Sequence, residues 1–190
     1  MTEERNSSVV GIPKLHPGAR FVVNACRALD CFSDAGSNGL TRRELAEVSG
    51  VNISSLKGHL HWATALGIVV EMPETAPVRY QIGDRLLSQT DFKRAMPPAG
   101  TQAALVKALW VLSCFTDDAY KTNEAIAAIT GFSHQVIASI LGALISIGYL
   151  TVYPRKPGQP RKYRRTAKVA SSDKSWIRLV VVSAPRVKAA

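Results

Sequence analysis

The residues in this chain best placed to do chemistry are its cations. Of 24 Lys and Arg in 190 residues, 11 fall between positions 151 and 190, opposed there only by Asp173; positions 1–150 balance 13 cations against 13 carboxylates. The formal net charge of +10 therefore sits at the C-terminal end. Its densest stretch is Arg155-Lys156-Pro157-Gly158-Gln159-Pro160-Arg161-Lys162-Tyr163-Arg164-Arg165. Cations held close together on a loop stiffened by proline displace counterions from a polyanion, and that is the chemistry the spacing offers. A solvated basic tail without a partner is the plainer alternative. The remaining reactive side chains form no catalytic pattern. His59 and His61, with Cys26, Cys31 and Cys114, are of metal-ligating type, but Cys26 and Cys31 lie on different faces of one helical stretch and no CxxC pair occurs. The cysteines read as core thiols of a reducing compartment. No nucleophile elbow, phosphate-binding Gly loop or HExxH sequence is present, so the sequence assigns no catalytic residue, metal or cofactor, and the expectation is a non-enzyme.

The elements that must position the cations occur twice. Leu40 to Pro73 aligns without a gap on Lys121 to Pro154, bringing Thr41, Ala46, Gly50, Leu60, Gly67 and Pro73 onto Thr122, Ala127, Gly131, Leu141, Gly148 and Pro154. Apolar positions coincide as well: Leu45 with Ile126, Val48 with Ile129, Leu56 with Ile137, Ala63 with Leu144 and Leu66 with Ile147. Upstream, Leu29, Cys31, Phe32 and Asp34 match Leu112, Cys114, Phe115 and Asp117, the first copy being longer by two residues in the Gly36-Ser37-Asn38-Gly39 loop. Within each copy Phe21, Ala25, Leu29 and Phe32, or Leu105, Ala108, Leu109, Leu112 and Phe115, predict an amphipathic first helix. Thr41 with Glu44 forms a capping box for a short second helix with Leu45 and Val48 inward and Arg42, Arg43 and Glu47 outward, and Gly50 ends it. Asn52 or Ser133 then opens a third helix reaching Leu66 or Ile147. Thr64 falls on Ile145, which marks a position only partly buried. A strand, a Pro/Gly turn and a second strand around Tyr80 or Tyr163 complete a hairpin.

Second and third helices joined by so short a turn have the helix-turn-helix signature, and the hairpin makes it winged. The first copy resembles the DNA-binding domains of IclR-type and MarR-type bacterial transcriptional regulators through Leu45-Ala46-Glu47, Gly50-Val51, Ser54-Ser55-Leu56, Leu60, Leu66-Gly67-Ile68-Val69 and Tyr80-Gln81-Ile82-Gly83. The resemblance implies a mainly α fold with small β-hairpins, built as two winged helix-turn-helix domains in tandem. It implies a third helix in the major groove and a hairpin along the backbone. The expected DNA contacts are Arg42, Arg43, Ser54, Ser55, Lys57, His61 and Arg79 in the first copy. In the second they are Ser133, His134, Gln135, Ser139, Arg155, Lys156, Arg161, Lys162, Arg164 and Arg165. Gln135 is of the type that pairs in two places with adenine. Gly58 and Ser139 stand where the family's recognition helix often offers an Arg.

The expected organisation is a flexible segment at 1–17, a first winged domain at 18–88, a linker at 89–100, a second domain at 101–170 and a tail at 171–190. In that tail, Trp176 to Val182 reads as a strand. Trp62, Trp110 and Trp176 read as packing residues. Positions 1–8 lack the pattern of an export signal and no apolar run suits a membrane span, so the expectation is a cytoplasmic, nucleoid-associated protein with double-stranded DNA as partner. A protein partner on the first domain or the tail, and a homodimer, stay open. The leading functional expectation is a sequence-specific bacterial or phage transcriptional regulator reading two adjacent sites. A replication or transposition initiator on repeated sites and a tandem winged-helix scaffold for protein interaction are the alternatives.

Overall fold

Capping chemistry fixes the helix starts in both halves. The computed structural model describes residues 17–33, 35, 38–97, 102–116, 119–154, 156–170 and 176–181, and they are mainly helical with two small three-stranded antiparallel sheets. The first half comprises α1 (Pro17–Cys31), β1 (Leu40–Thr41), α2 (Arg42–Ser49), α3 (Ile53–Ala65), β2 (Val69–Met72) and β3 (Arg79–Ile82). After α4 (Gln89–Ala95) the second half repeats the order with α5 (Gln102–Ser113), β4 (Lys121–Thr122), α6 (Asn123–Thr130), α7 (His134–Ser146), β5 (Leu150–Val152) and β6 (Lys162–Arg165). Two single turns follow, α8 (Ala167–Ala170) and α9 (Ile177–Val180). At α2 the Thr41 hydroxyl accepts from the Glu44 N–H at 3.2 Å and the Glu44 carboxylate accepts from the Thr41 N–H at 2.8 Å. Gly50 ends the helix with φ +65°, a conformation that favours glycine.

The sheets share one topology, β1-β3-β2 and β4-β6-β5. Their two-residue first strands, β1 and β4, are too short to leave a periodic signal in sequence and complete the hairpins expected there. A matched hydroxyl bridges the turn after the second helix in each half. Ser49 Oγ donates to Leu45 O at 2.5 Å and accepts from the Val51 N–H, and Thr130 Oγ donates to Ile126 O at 2.8 Å and accepts from the Phe132 N–H. The buried line of these two-turn helices thus runs from Leu45 to Ser49 and from Ile126 to Thr130. Val48, expected inward, is instead 62% exposed, with Ile129 at 39%.

The halves do not keep separate cores. Helix α1 packs against α5 and against α7, while α5 packs against α7 and α3, so each leading helix reaches the other half's third helix. The result is one continuous apolar cluster from Ala19 to Val181. Helix α5, expected to be amphipathic, is buried nearly all round through Ala103, Leu105, Val106, Ala108, Leu109, Trp110, Val111 and Leu112, as befits a helix enclosed by neighbours. The linker expected at 89–100 contains α4, whose Ser88–Asp91 capping box and fully buried Phe92 dock it on α5; Phe92 lies parallel to Trp110 at 6.3 Å. The strand expected at 176–182 is a helical turn instead. Trp176, Ile177, Leu179, Val180 and Val181 are buried, and the Leu179 carbonyl accepts from the Leu87 N–H at 2.7 Å; Val182 lies outside the described residues.

One carboxylate fastens this arrangement. Asp30, in the last turn of α1, accepts through Oδ1 from the Tyr149 hydroxyl at 2.5 Å and from Trp176 Nε1 at 3.1 Å, and through Oδ2 from Lys168 Nζ at 2.9 Å. Lys168 also lies over the Tyr149 ring, 4.6 Å from its centroid. At the aligned positions the halves differ, since Asp30 matches Ser113 and Tyr149 matches Ile68. Asp30→Ala removes the shared acceptor of two buried donors and is expected to lower unfolding free energy by about 2–3 kcal/mol in urea titration. Ser113→Ala loses only a bond within α5, from Oγ to the Trp110 carbonyl, and is expected to cost under about 1 kcal/mol.

Candidate nucleic-acid interface

Apart from Ile53, 44% exposed in the first turn of α3, the large side chains on the outer faces of the third helices are polar. On α3, Leu56, Leu60 and Ala63 are buried while Ser54, Ser55, Lys57 and His61 are exposed. Ser54 is tied back to the cap, its hydroxyl donating to Asn52 Oδ1 at 2.6 Å. On α7, Ile137, Ile140, Leu141, Ala143 and Leu144 are buried, and His134, Gln135 and Ser139 are exposed. Ser133 caps α7, accepting from the Val136 N–H at 3.4 Å. Thr64 and Ile145 are both half-buried, as their mismatch predicts. Arg42 and Arg43 are exposed on α2, with Arg43 3.7 Å from Glu47 in a surface pair of small energetic weight.

The hairpins differ in what their cations do. Arg79 on β3 is engaged internally: Nε donates to the Asn38 carbonyl at 2.9 Å, and Nη2 donates to the Gly39 carbonyl and to both Glu44 oxygens, the nearer at 2.9 Å. The Thr41 N–H, with its hydroxyl and Arg79 adding, holds the Glu44 carboxyl below the usual range. Arg79 therefore locks the first hairpin to the start of α2, a role different from the DNA contact expected of it. In the register of the second sheet Lys162 takes the place of Arg79, opposite the capping Thr122 as Arg79 is opposite Thr41. Where Glu44 stands in the first half, the second has Ala125. Lys156, Arg161, Lys162 and Arg164 are exposed on the β5–β6 hairpin and Arg165 is half-buried. Its turn passes through Gly158 at φ +82°. Arg155 lies outside the described residues.

Two residues missing from the sequence-based set join this surface. Tyr120 and Tyr153 meet edge-to-face with centroids 4.9 Å apart, and the Arg164 guanidinium lies 5.2 Å from the Tyr120 centroid. The repeat carried their signal, because the aligned residues are Gly39 and Met72.

Of the remaining residues of reactive type, Cys26, Cys114 and His59 are buried, while Cys31 is half-buried with its Sγ donating to the Arg27 carbonyl at 3.3 Å. Cys26 is buried, and desolvation pushes its thiol far above the usual range; burial pushes Cys114 up to about 11. Among the described residues no group of three or more His, Cys, Asp and Glu is arranged for a metal ion, and no single helix is long and apolar enough to cross a membrane. His59 is buried on α3 with its ring 4.2 Å from that of Phe21, and neither ring nitrogen has a hydrogen-bond partner.

No protein-family model matches the chain, and no curated protein matches it significantly in sequence.

Burial holds the His59 pKa at about 4, against 6.5 for an ordinary imidazole. The unfolded chain therefore binds the proton first as pH falls. Stability contributed by the neutral ring is complete above pH 6.5 and is lost progressively down to about pH 4, by about 2 kcal/mol at pH 5. His59→Ile, which copies Ile140 at the aligned position, is expected to flatten this part of the pH profile in thermal or urea unfolding; an unchanged slope contradicts the assignment.

Proposed function

We propose that the chain is a tandem winged helix-turn-helix protein that binds double-stranded DNA sequence-specifically, acting as a bacterial or phage transcriptional regulator. The observation that carries this reading is the contrast between the hairpins. In the first, the cation at the critical register position is neutralised by Glu44; in the second, the corresponding Lys162 is exposed with Arg161, Arg164 and Lys156, and Ala125 replaces the acid. A proline-containing hairpin of exposed cations beside a helix-turn-helix suits backbone contact, while the exposed donors and acceptors of α3 and α7 suit groove contact.

Three features support the division of labour. Gln135 is exposed in the first turn of α7, where an amide reads a base edge. Ser54, Ser55, Lys57 and His61 give α3 a second set of short polar contacts. The shared core joins α3 to α5 and α7 to α1, so the two candidate reading helices are held at a set separation by packing rather than by a loose tether. A scaffold for proteins would need apolar outer faces on the third helices, and these named positions are polar.

Fluorescence anisotropy with a duplex across a salt series tests the reading. If about six cations neutralise phosphates, log affinity falls with log salt at a slope of about −5. Lys156→Gln with Arg161→Gln is expected to weaken all duplexes alike and to reduce the slope by about 2. Gln135→Ala is expected to relax preference at one base pair by about 1–3 kcal/mol. Unchanged affinity and slope in the double variant would contradict the hairpin assignment.

A further inference from the structure

The second sheet has an outer face that the first lacks. Residues on β6 alternate, so Lys162 and Arg164 point away from the buried Tyr163. Pairing sets Arg164 opposite Thr151 on β5, and Tyr153 follows next to Lys162, its N–H donating to the Lys162 carbonyl at 2.9 Å. Tyr120 precedes β4 on the other side and lies beneath Arg164. The face is thus two tyrosines and two cations, with Tyr120 38% and Tyr153 50% exposed.

Sheet stability does not require this set. The first sheet has the same strand order and hairpin pairing with Gly39, Val70, Met72, Arg79 and Gln81 at the matching places, and no aromatic ring among them. Gly39 is forced by its backbone, since φ is +61° and a Cβ would come within 2.5 Å of the Tyr80 carbonyl oxygen. Tyr120 is free of that constraint, because no non-glycine residue among those described has positive φ. Rings on the outer face are therefore an addition to the fold, not a consequence of it.

We infer that this face is a stacking site for unpaired nucleotides. Exposed tyrosines offer a flat surface to any base, and cations at the sheet spacing meet the phosphates between successive bases; this pairing grips single strands with little sequence preference. Tyr153 is the more open ring, and Arg164, on Tyr120, is positioned to bond a phosphate while retaining its cation–π contact. Charge complementarity favours a polyanion over a protein partner, since the surrounding hairpin is basic and Asp173 is the only acid between positions 151 and 190. The inference extends the proposed duplex binding by a second mode on the same half, and it stands without the helix contacts of that mode. A protein that bends or opens a duplex beside its site would hold the freed strand here.

The test measures binding of the full chain to oligo-dT, oligo-rU and a duplex of equal length. Tyr120→Ala with Tyr153→Ala is expected to weaken strand binding tenfold or more and to lower the ratio of strand to duplex affinity at least fivefold; the two Tyr→Phe replacements retain strand binding. Preference between the oligo-dT and oligo-rU arms identifies whether the strand is DNA or RNA. Photo-crosslinking of the unaltered chain to an iodouracil-substituted strand, mapped by peptide mass, is expected at Tyr120 or Tyr153 and does not depend on any variant folding. Strand affinity unmoved by the double replacement, no strand binding by the unaltered chain, or crosslinks confined to other segments would overturn the inference. Tyrosine-dependent strand binding without duplex binding would support it and defeat the proposed function instead.

Discussion

The Asp30 carboxylate is the constraint on which the rest of the structure depends. An acid in the last turn of a helix opposes the helix dipole, so its place at the end of α1 needs compensation from elsewhere. That compensation comes from three side chains of the other half and the tail: the Tyr149 hydroxyl, the Trp176 indole N–H and the Lys168 ammonium. Burial, with Cys26 and Asp30 adding, pushes the Tyr149 pKa far up, so this hydroxyl remains a donor at any physiological pH. Trp176 in turn brings the α9 turn into the core, where Leu179 meets Leu87 of the first half. A single acceptor thereby links the leading helix, the second sheet and the tail.

This linkage is asymmetric although the fold is duplicated. Ser113 and Ile68 occupy the places of Asp30 and Tyr149, Ser113 bonding within its own helix to the Trp110 carbonyl and Ile68 buried in the core. The same divergence runs across the surface. In the first half Glu44 ties Arg79 to the start of α2 and leaves a near-neutral hairpin, while in the second Ala125 withdraws the acid and tyrosines enter the outer face. Duplication supplied two similar frames, and substitution gave them different chemistry. The crossed packing of α1 on α7 and of α3 on α5 keeps those two chemistries in one body.

Much of the local fold was legible because its causes are local. Thr41 with Glu44, Asn52, Ser133, Gly50 and Gly131 declare helix ends within a few residues, and the aligned glycines and prolines declare the hairpins. What escaped depended on distant partners. The valines after Trp176 have strand character by type, but burial under the first half and the bond from Leu87 hold the segment as a helical turn. Val48 looked like a core residue because it is apolar, whereas a helix of two turns touches the core along one line that Ser49 completes. Arg79 reads in sequence as a surface cation because no spacing rule joins it to Glu44, its partner in the fold. For the candidate interface, the cations were visible in composition; the tyrosines required the two copies to be compared position by position.

The central claim is that one chain carries two linked reading helices, one of them anchored by a basic hairpin, on a shared core. Selection of bound duplexes from a random pool at physiological salt, with the mass of the recovered complex, tests it most directly. The account predicts a monomer on a site with two half-sites at one fixed spacing, about a helical turn apart. Recovery of no preferred sequence, or of half-sites at freely varying distances, would contradict it.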